Sequence, residues 1–108
     1  MEESLYDTSR LIDAYKKKET ITGYTTIFNI IEFPKAMEFN LQILFPSKSD
    51  YYLSLRISTE LLKAGKPIPT INSLIAAIVL NNKLKLVTRD NHFLLIEKIM
   101  KDFKVDVV

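Results

Sequence analysis

Two aspartates follow directly on short apolar segments whose composition is typical of buried strands. Asp7 comes after residues 4–6, SLY, and Asp90 lies just beyond residues 85–88, KLVT. In parallel sheets the carboxyl ends of the strands share one edge, and ligands bind beyond that edge where the strand order reverses. We therefore expect the two carboxylates to lie at the same edge of one sheet.

Two further oxygen-bearing side chains could join this pair. Glu32 is the only charged residue in the run IFNIIEF, and Asn72 precedes the apolar run SLIAAIVL. We expect both near helix N-termini, which lie at the same edge as the strand ends. A pocket of carboxylate and amide oxygens suits a hard divalent cation such as Mg²⁺ or Mn²⁺, which keeps waters able to attack a phosphodiester.

The first two acids also have ordinary structural explanations. Asp7 could cap the helix that begins at Ser9, although Thr8 and Ser9 could do so without a charge. Glu32 stands three residues after Asn29, which is the spacing of a capping box at a helix start. The spacing alone leaves both explanations open for Glu32.

The remaining polar candidates have local explanations too. Asp90 lies in TRDN, a composition typical of turns, and Asn72 could be a cap or a polar helix start. His92 is expected to be a half-buried turn residue that could also contact a substrate. Asp13 is expected to be a solvated or salt-bridged residue of the first helix.

The composition limits the kinds of site that the chain can build. Its 108 residues, 47% of them hydrophobic, fit one domain spanning residues 1–108. The sequence has no cysteine and one histidine, which excludes disulfide scaffolds, thiolate zinc sites, cysteine nucleophiles and sites of several histidines. Any metal ion must therefore be held by oxygen.

The charge and the N-terminal segment bear on partners and location. A formal net charge of +2 permits nucleic-acid binding without indicating it. Lysines 16–18 are expected either at a solvated helix end or on a rim that contacts phosphate. The acidic start MEESLYD is unlike a signal peptide, and no apolar run approaches membrane-spanning length. We expect a cytoplasmic protein that has no membrane partner.

Strand-like and helix-like segments alternate along the chain. Strands are expected at 4–6, 20–28, 41–45, 85–88 and 103–108, and helices at 9–18, 29–37 with a kink or an early end at Pro34, 49–65, 73–80 and 94–101. This alternation predicts an α/β fold in which helices cover both faces of a mostly parallel sheet.

Four motifs, in their order and approximate spacing, resemble the PIN-domain family, and within it the VapC-type toxins of toxin–antitoxin pairs. They are YDTSRLID, NIIEF, GKPIPTINSLIAAIVL and LKLVTRDNHF. The resemblance covers nearly the whole chain, and the middle, residues 33–52, is shorter and less distinctive. The start DTS is weak alone, but joined to IAA and VTRD it is fairly specific.

The resemblance implies a three-layer α/β/α sandwich and an Mg²⁺- or Mn²⁺-dependent ribonuclease, often a homodimer and often silenced by a small antitoxin. Matched position by position, it implies Asp7, Glu32 and Asp90 as the catalytic metal ligands. It also implies a pocket lined by hydroxyl side chains, which here are Thr8, Ser9 and Thr88.

The sequence departs from the family pattern at Asn72, where an aspartate is common. An amide oxygen carries no charge, so the site loses one unit of attraction for a divalent ion. We therefore expect one metal ion rather than two, or an inactive chain that serves as a binding or dimerisation module. A nucleotide-binding or phosphatase-like α/β protein is disfavoured, because no glycine-rich loop follows the first strand.

For an active chain, the expected reaction is in-line attack on an RNA phosphodiester by a water whose pKa the metal lowers. Arg89 and nearby lysines are expected to bind the flanking phosphates, with salt-sensitive affinity and little base readout. Single-stranded or looped RNA is the expected substrate, because an A-form duplex hides its base edges.

Overall fold

The computed structural model describes residues 3–108, in which five strands form one parallel sheet. The strands are β1 Ser4–Tyr6, β2 Thr22–Thr26, β3 Asn40–Leu44, β4 Lys85–Thr88 and β5 Lys104–Val107. Their order across the sheet is β3-β2-β1-β4-β5. The predicted parallel sheet is confirmed, and β5 is an edge strand as expected.

Helices cover both faces of this sheet. They are α1 Thr8–Lys16, α2 Ile27–Glu32, α3 Lys48–Lys63, α4 Thr70–Asn81 and α5 Phe93–Ile99, with a short 3-10 helix at Pro34–Glu38. One apolar core lies between the sheet and α3, α4 and α5, and a second lies between the sheet and α1, α2 and the 3-10 helix. The α/β/α sandwich is therefore confirmed.

The described part of the chain, residues 3–108, contains no helix with both the length and the apolar composition needed to cross a lipid bilayer. Helix α4, which contains the apolar run 74–80, instead has seven consecutive residues buried, Ser73–Val79, and packs between the sheet and α3. This confirms the prediction that SLIAAIVL forms a helix buried against a sheet.

The second strand is shorter, and the second helix begins earlier, than the sequence predicts. The chain leaves β2 at Thr26, whose hydroxyl accepts from the Asn29 backbone N–H at 3.3 Å while the Asn29 side chain accepts from the Thr26 backbone N–H at 3.3 Å. This capping box starts α2 at Ile27. The capping box from Asn29 to Glu32, which the spacing had left open, does not form. The expectation that Glu32 lies near a helix N-terminus is wrong, because Glu32 is the last residue of α2.

Gly23 lies inside β2. Its φ is +131°, and a Cβ at this position would lie 2.7 Å from the Ser4 carbonyl oxygen. Only glycine fits this close approach of β2 to β1. Gly65, at φ +71°, ends α3 as predicted, with the Lys66 N–H donating to the Leu61 carbonyl at 2.8 Å.

The strand order reverses at the centre of the sheet. From β1 the chain moves to β2 and β3 on one side, then crosses over to β4 and β5 on the other. β1 and β4 are therefore neighbours that leave the sheet toward different helices. A crevice forms at such a switch point beyond the carboxyl ends of the strands. Asp7 and Thr88 lie at these two strand ends.

Candidate active site

Asp7 is held in place at the end of β1 by donors from three directions. Its Oδ2 accepts from the Thr88 hydroxyl at 2.6 Å, and its Oδ1 accepts from the Ser9 hydroxyl at 2.8 Å and from the Arg10 backbone N–H at 3.3 Å. The last bond makes Asp7 the N-cap of α1. Asp7 is therefore both a helix cap and a residue of the crevice.

Asp7 is only 6% exposed, and this burial raises the pKa of its carboxyl group. The hydrogen bonds from Thr88, Ser9 and Arg10 lower the pKa in part, and the negative charge of Asp90 raises it further. A buried carboxylate beside a second carboxylate is the environment that a bound cation stabilises.

The loop after β4 is fastened to the start of α1. The Thr88 hydroxyl, which donates to Asp7, also accepts from the Asp90 backbone N–H at 2.9 Å, and the Ser9 hydroxyl accepts from the Arg89 backbone N–H at 2.9 Å. These bonds fix the path of the chain from the end of β4 to Asp90. The hydroxyl groups of Ser9 and Thr88 therefore position Asp7 and Asp90 relative to each other.

Asp90 combines a local turn with a contact across the pocket. Its Oδ1 accepts from the His92 backbone N–H at 2.9 Å and lies 3.0 Å from the His92 Nδ1, so the turn expected from the sequence is present. Its Oδ2 accepts from the Asn72 side-chain amide at 3.1 Å. The His92 side chain is 54% exposed, which is more than the half-buried position expected.

Asn72 is the third residue of α4, so its expected place near a helix N-terminus is confirmed. Its amide group donates to Asp90, where an aspartate at this position would repel that carboxylate. The amide thus holds Asp90 without the charge that a second cation would need.

Glu32 reaches the pocket from the end of α2. Its Oε1 accepts from the Thr8 hydroxyl at 2.9 Å, and Thr8 in turn accepts from the Asn29 side-chain amide at 3.0 Å. Asn29 is 1% exposed and also accepts from the Thr26 hydroxyl at 2.6 Å. From the sequence Asn29 is expected only at a helix start. A polar residue inside the apolar run IFNIIEF is the signal of its second role.

One pocket of about 520 Å³ collects these side chains. It is lined by Asp7, Thr8, Ser9, Ile12, Asn29, Glu32, Pro69, Ile71, Asn72, Ile75 and Asp90. Three carboxylates and two amides thus meet an apolar wall, and none of these lining residues is a lysine or arginine. The pocket is anionic, and we refer to it below as the acidic pocket.

The acidic pocket is not a preformed cage for a metal ion. No three Asp, Glu or His side chains within residues 3–108 lie close enough together to ligate one ion directly. Mg²⁺, however, is commonly held by one or two carboxylates and keeps several waters. Asp7 Oδ2 and Asp90 Oδ2 each accept one hydrogen bond from the described residues and can accept another ligand. The donor set therefore fits a partly hydrated Mg²⁺ or Mn²⁺.

Arg89 lies outside the acidic pocket. Its guanidinium group is 57% exposed and pairs with Asp13 at 3.4 Å, in a neighbouring cleft formed with α1. Asp13 is salt-bridged, as one of the expectations for it stated, and its side chain is 18% exposed.

The sequence matches no protein-family model and no curated protein sequence. Solved structures do match. VapBC-5 from Mycobacterium tuberculosis, a member of the VapBC family of toxin–antitoxin systems, aligns with a TM-score of 0.77 at 15% identity over 97% of this chain and 98% of that chain.

Two complexes with DNA give the same result. VapBC from Salmonella typhimurium aligns with a TM-score of 0.76 at 16% identity, covering 98% of each chain. VapBC2 from Rickettsia felis, bound to a promoter fragment, aligns with a TM-score of 0.72 at 17% identity over 95% of this chain and 96% of that chain. The chain therefore has the VapC-type, PIN-like fold of these toxin–antitoxin complexes.

Proposed function

We propose that the chain is a metal-dependent endoribonuclease and the toxin of a toxin–antitoxin pair, acting in the cytoplasm on single-stranded or looped RNA. The observation that carries this proposal is the buried Asp7 carboxylate at the switch point, in one anionic pocket with Glu32 and Asp90. The fold shared with VapBC complexes supports the toxin class.

In this proposal Asp7 and Asp90 would hold the cation, and Glu32 would contact it through water. A bound Mg²⁺ or Mn²⁺ supplies a water of lowered pKa and neutralises the charge that builds on the phosphate. Thr88 and Ser9 orient Asp7, and Thr8 orients Glu32.

The Asn72 amide supports a single cation rather than two. In two-metal sites the ions lie about 4 Å apart and share bridging charge. Asn72 supplies no charge, and its side-chain amide donates a hydrogen bond to Asp90. We therefore propose that metal binding is weak and that a substrate phosphate strengthens it.

Cleavage of a generic single-stranded RNA, with Mg²⁺ or Mn²⁺ and with EDTA, tests this function. We expect the wild type to cut only with metal, and Asp7→Asn to lose activity by at least about 100-fold, because the variant removes a charge that holds the cation. Asp102→Asn is the matched control, since Asp102 is an exposed residue of the α5–β5 loop outside the pocket, and it should retain activity.

The second candidate function is a PIN-like module that binds or dimerises without cutting RNA. Asn72 and the absence of three converging ligands within residues 3–108 favour it. An inert wild type that gains metal-dependent cleavage through Asn72→Asp would support this candidate. A wild type that cuts, with an inactive Asp7→Asn, would contradict it.

We propose in addition that the chain binds a small antitoxin and forms a homodimer. The homodimer is supported by an apolar stripe on α3, in which Tyr52, Leu55 and Leu62 are 64%, 64% and 66% exposed. Arg56 and Glu60 accompany this stripe, so two antiparallel copies of α3 would bring opposite charges together.

Light scattering coupled to size-exclusion chromatography tests the homodimer. We expect the purified chain to elute with the mass of two copies, and Leu55→Asp to elute as a monomer, because a buried unpaired charge disfavours the interface. Ile31→Asp, at an equally exposed residue of α2, should leave the mass unchanged. A wild-type monomer at micromolar concentration would contradict the homodimer.

A further inference from the structure

A second cleft lies directly beside the acidic pocket. It has a volume of about 320 Å³ and is lined by Arg10, Asp13, Lys17, Glu19, Arg89 and Val108. Ser9 and Asp90 line the acidic pocket, whereas their chain neighbours Arg10 and Arg89 line this cleft. Because adjacent Cα atoms are about 3.8 Å apart, the two clefts share a wall. We call the second one the basic cleft.

The side chains of the basic cleft carry three positive charges, on Arg10, Lys17 and Arg89, and two negative charges, on Asp13 and Glu19. Glu19 pairs closely with Arg10, at 2.7 Å. Asp13 is approached by Arg10, Lys17 and Arg89, each at 3.4 Å. Charge-assisted bonds between such groups are typically about 2.7–2.9 Å long. Asp13 is therefore shared among three cations. Arg10 is held by Glu19, whereas Lys17 and Arg89 have only the longer contacts with Asp13.

Two of these cations reach the solvent. The Lys17 and Arg89 side chains are 63% and 57% exposed, whereas the Asp13 side chain beneath them is 18% exposed. Exposed ion pairs of this kind are weak in water. A phosphate group could therefore replace Asp13 as their partner, and the planar guanidinium of Arg89 can bind phosphate through two parallel hydrogen bonds.

We infer that the basic cleft binds a backbone phosphate of a single-stranded nucleic acid, and that Asp13 holds Lys17 and Arg89 until this phosphate displaces it. The identity of the ligand rests on the proposed function. The nucleic-acid strand would cross the wall that the two clefts share, where the Arg89 backbone N–H donates to Ser9 Oγ at 2.9 Å. The cleft then anchors the strand one or more phosphates away from the acidic pocket.

Fluorescence anisotropy of a labelled single-stranded oligoribonucleotide tests this inference. Measured in EDTA over a range of salt concentrations, it reports binding without cleavage. We expect Arg89→Gln and Lys17→Gln each to weaken binding by roughly 3- to 10-fold at low salt and to reduce the salt slope by about 0.7, the value for one single-strand phosphate contact.

Asp13→Asn tests whether Asp13 competes with the phosphate for Lys17 and Arg89. We expect it to strengthen binding by a few fold, because it removes the negative charge that competes with phosphate. Lys101→Gln, at an exposed lysine of the α5–β5 loop that lines neither the basic cleft nor the acidic pocket, is the matched control and should bind as the wild type does. Thermal unfolding of each variant verifies that it is folded, and Lys17→Gln keeps the test open if Asp13→Asn does not fold.

Unchanged affinity in both Arg89→Gln and Lys17→Gln would overturn the inference, as would weaker binding by a folded Asp13→Asn. Inorganic phosphate that competes as well as the oligonucleotide, at equal phosphate concentration, would overturn the assignment to a strand. A wild type that binds RNA through Arg89 but never cuts it would contradict the nuclease and leave the basic cleft standing.

Discussion

Asp7 combines two tasks that conflict energetically. As the N-cap of α1 it satisfies a backbone donor, and as a residue of the acidic pocket it brings a negative charge to a 6% exposed position. Thr88 and Ser9 compensate in part for the lost hydration, yet the pKa of Asp7 remains raised. A neutral serine or threonine at this position would satisfy the same backbone donor, so the charge of Asp7 points to cation binding.

The pH dependence of stability should reveal this conflict. Because burial raises the pKa of Asp7, the folded chain binds the proton more tightly than the unfolded chain does. The contribution of Asp7 to the free energy of unfolding should therefore fall as pH rises from about 4 through the raised pKa, with the loss complete above it.

Urea unfolding between pH 3 and pH 8 measures this contribution as the difference between wild type and Asp7→Asn. We expect the difference to shift against the wild type as pH rises. A difference that is independent of pH, or that favours the wild type more at higher pH, would contradict a raised pKa for Asp7.

At the residue scale the sequence located the acids better than their neighbours. Asp7, Glu32 and Asp90 could be placed because strand ends and an isolated charge are visible in the sequence. The role of Asn29 was missed, because its bond to Thr8 joins two elements that lie far apart in the chain. The Arg89 side chain points into the neighbouring cleft because of the path that the chain takes after β4, and the amino-acid composition of this segment does not predict that path.

At the scale of the elements, helix α2 determines where Glu32 points. The segment TITGYTTIF is rich in β-branched and aromatic residues, so its composition predicts a longer strand than the structure has. The capping box between Thr26 and Asn29 overrides that preference and starts the helix at Ile27. Pro34 then ends it early, as predicted, which leaves Glu32 on its last turn.

Removing this cap should therefore damage both stability and function. We expect Thr26→Ala to lower the free energy of unfolding by about 1–2 kcal/mol and to reduce RNA cleavage, because Asn29 and Thr8 lose their alignment with Glu32. Ser47→Ala removes the equivalent capping box of α3, which lies outside the acidic pocket, and is the matched control.

Urea unfolding and cleavage rates at saturating Mn²⁺ measure the two effects. Ser47→Ala should cost a similar free energy and leave the cleavage rate unchanged. If both variants lost activity in proportion to their loss of stability, α2 would have no special part in positioning Glu32.

At the scale of the whole molecule, the sheet order explains why distant residues meet. The reversal between β1 and β4 brings residue 7 within hydrogen-bonding distance of residue 88, which is 81 positions away in the chain. Strand and helix alternation predicts a parallel sheet, but it does not predict which strand is central. Structures with 15–17% identity share this fold, because the apolar pattern rather than particular residues specifies the layers.

The central claim is that the fold gathers Asp7, Glu32 and Asp90 into one pocket that binds a divalent cation. A crystal structure of the chain soaked in Mn²⁺, with anomalous scattering recorded at the manganese edge, tests it most directly. We predict one anomalous peak within ligand distance, about 2.1–2.3 Å, of an Asp7 or Asp90 oxygen, with Glu32 contacting the waters of the ion. No peak in the acidic pocket, with Mn²⁺ bound elsewhere or not at all, would contradict the claim.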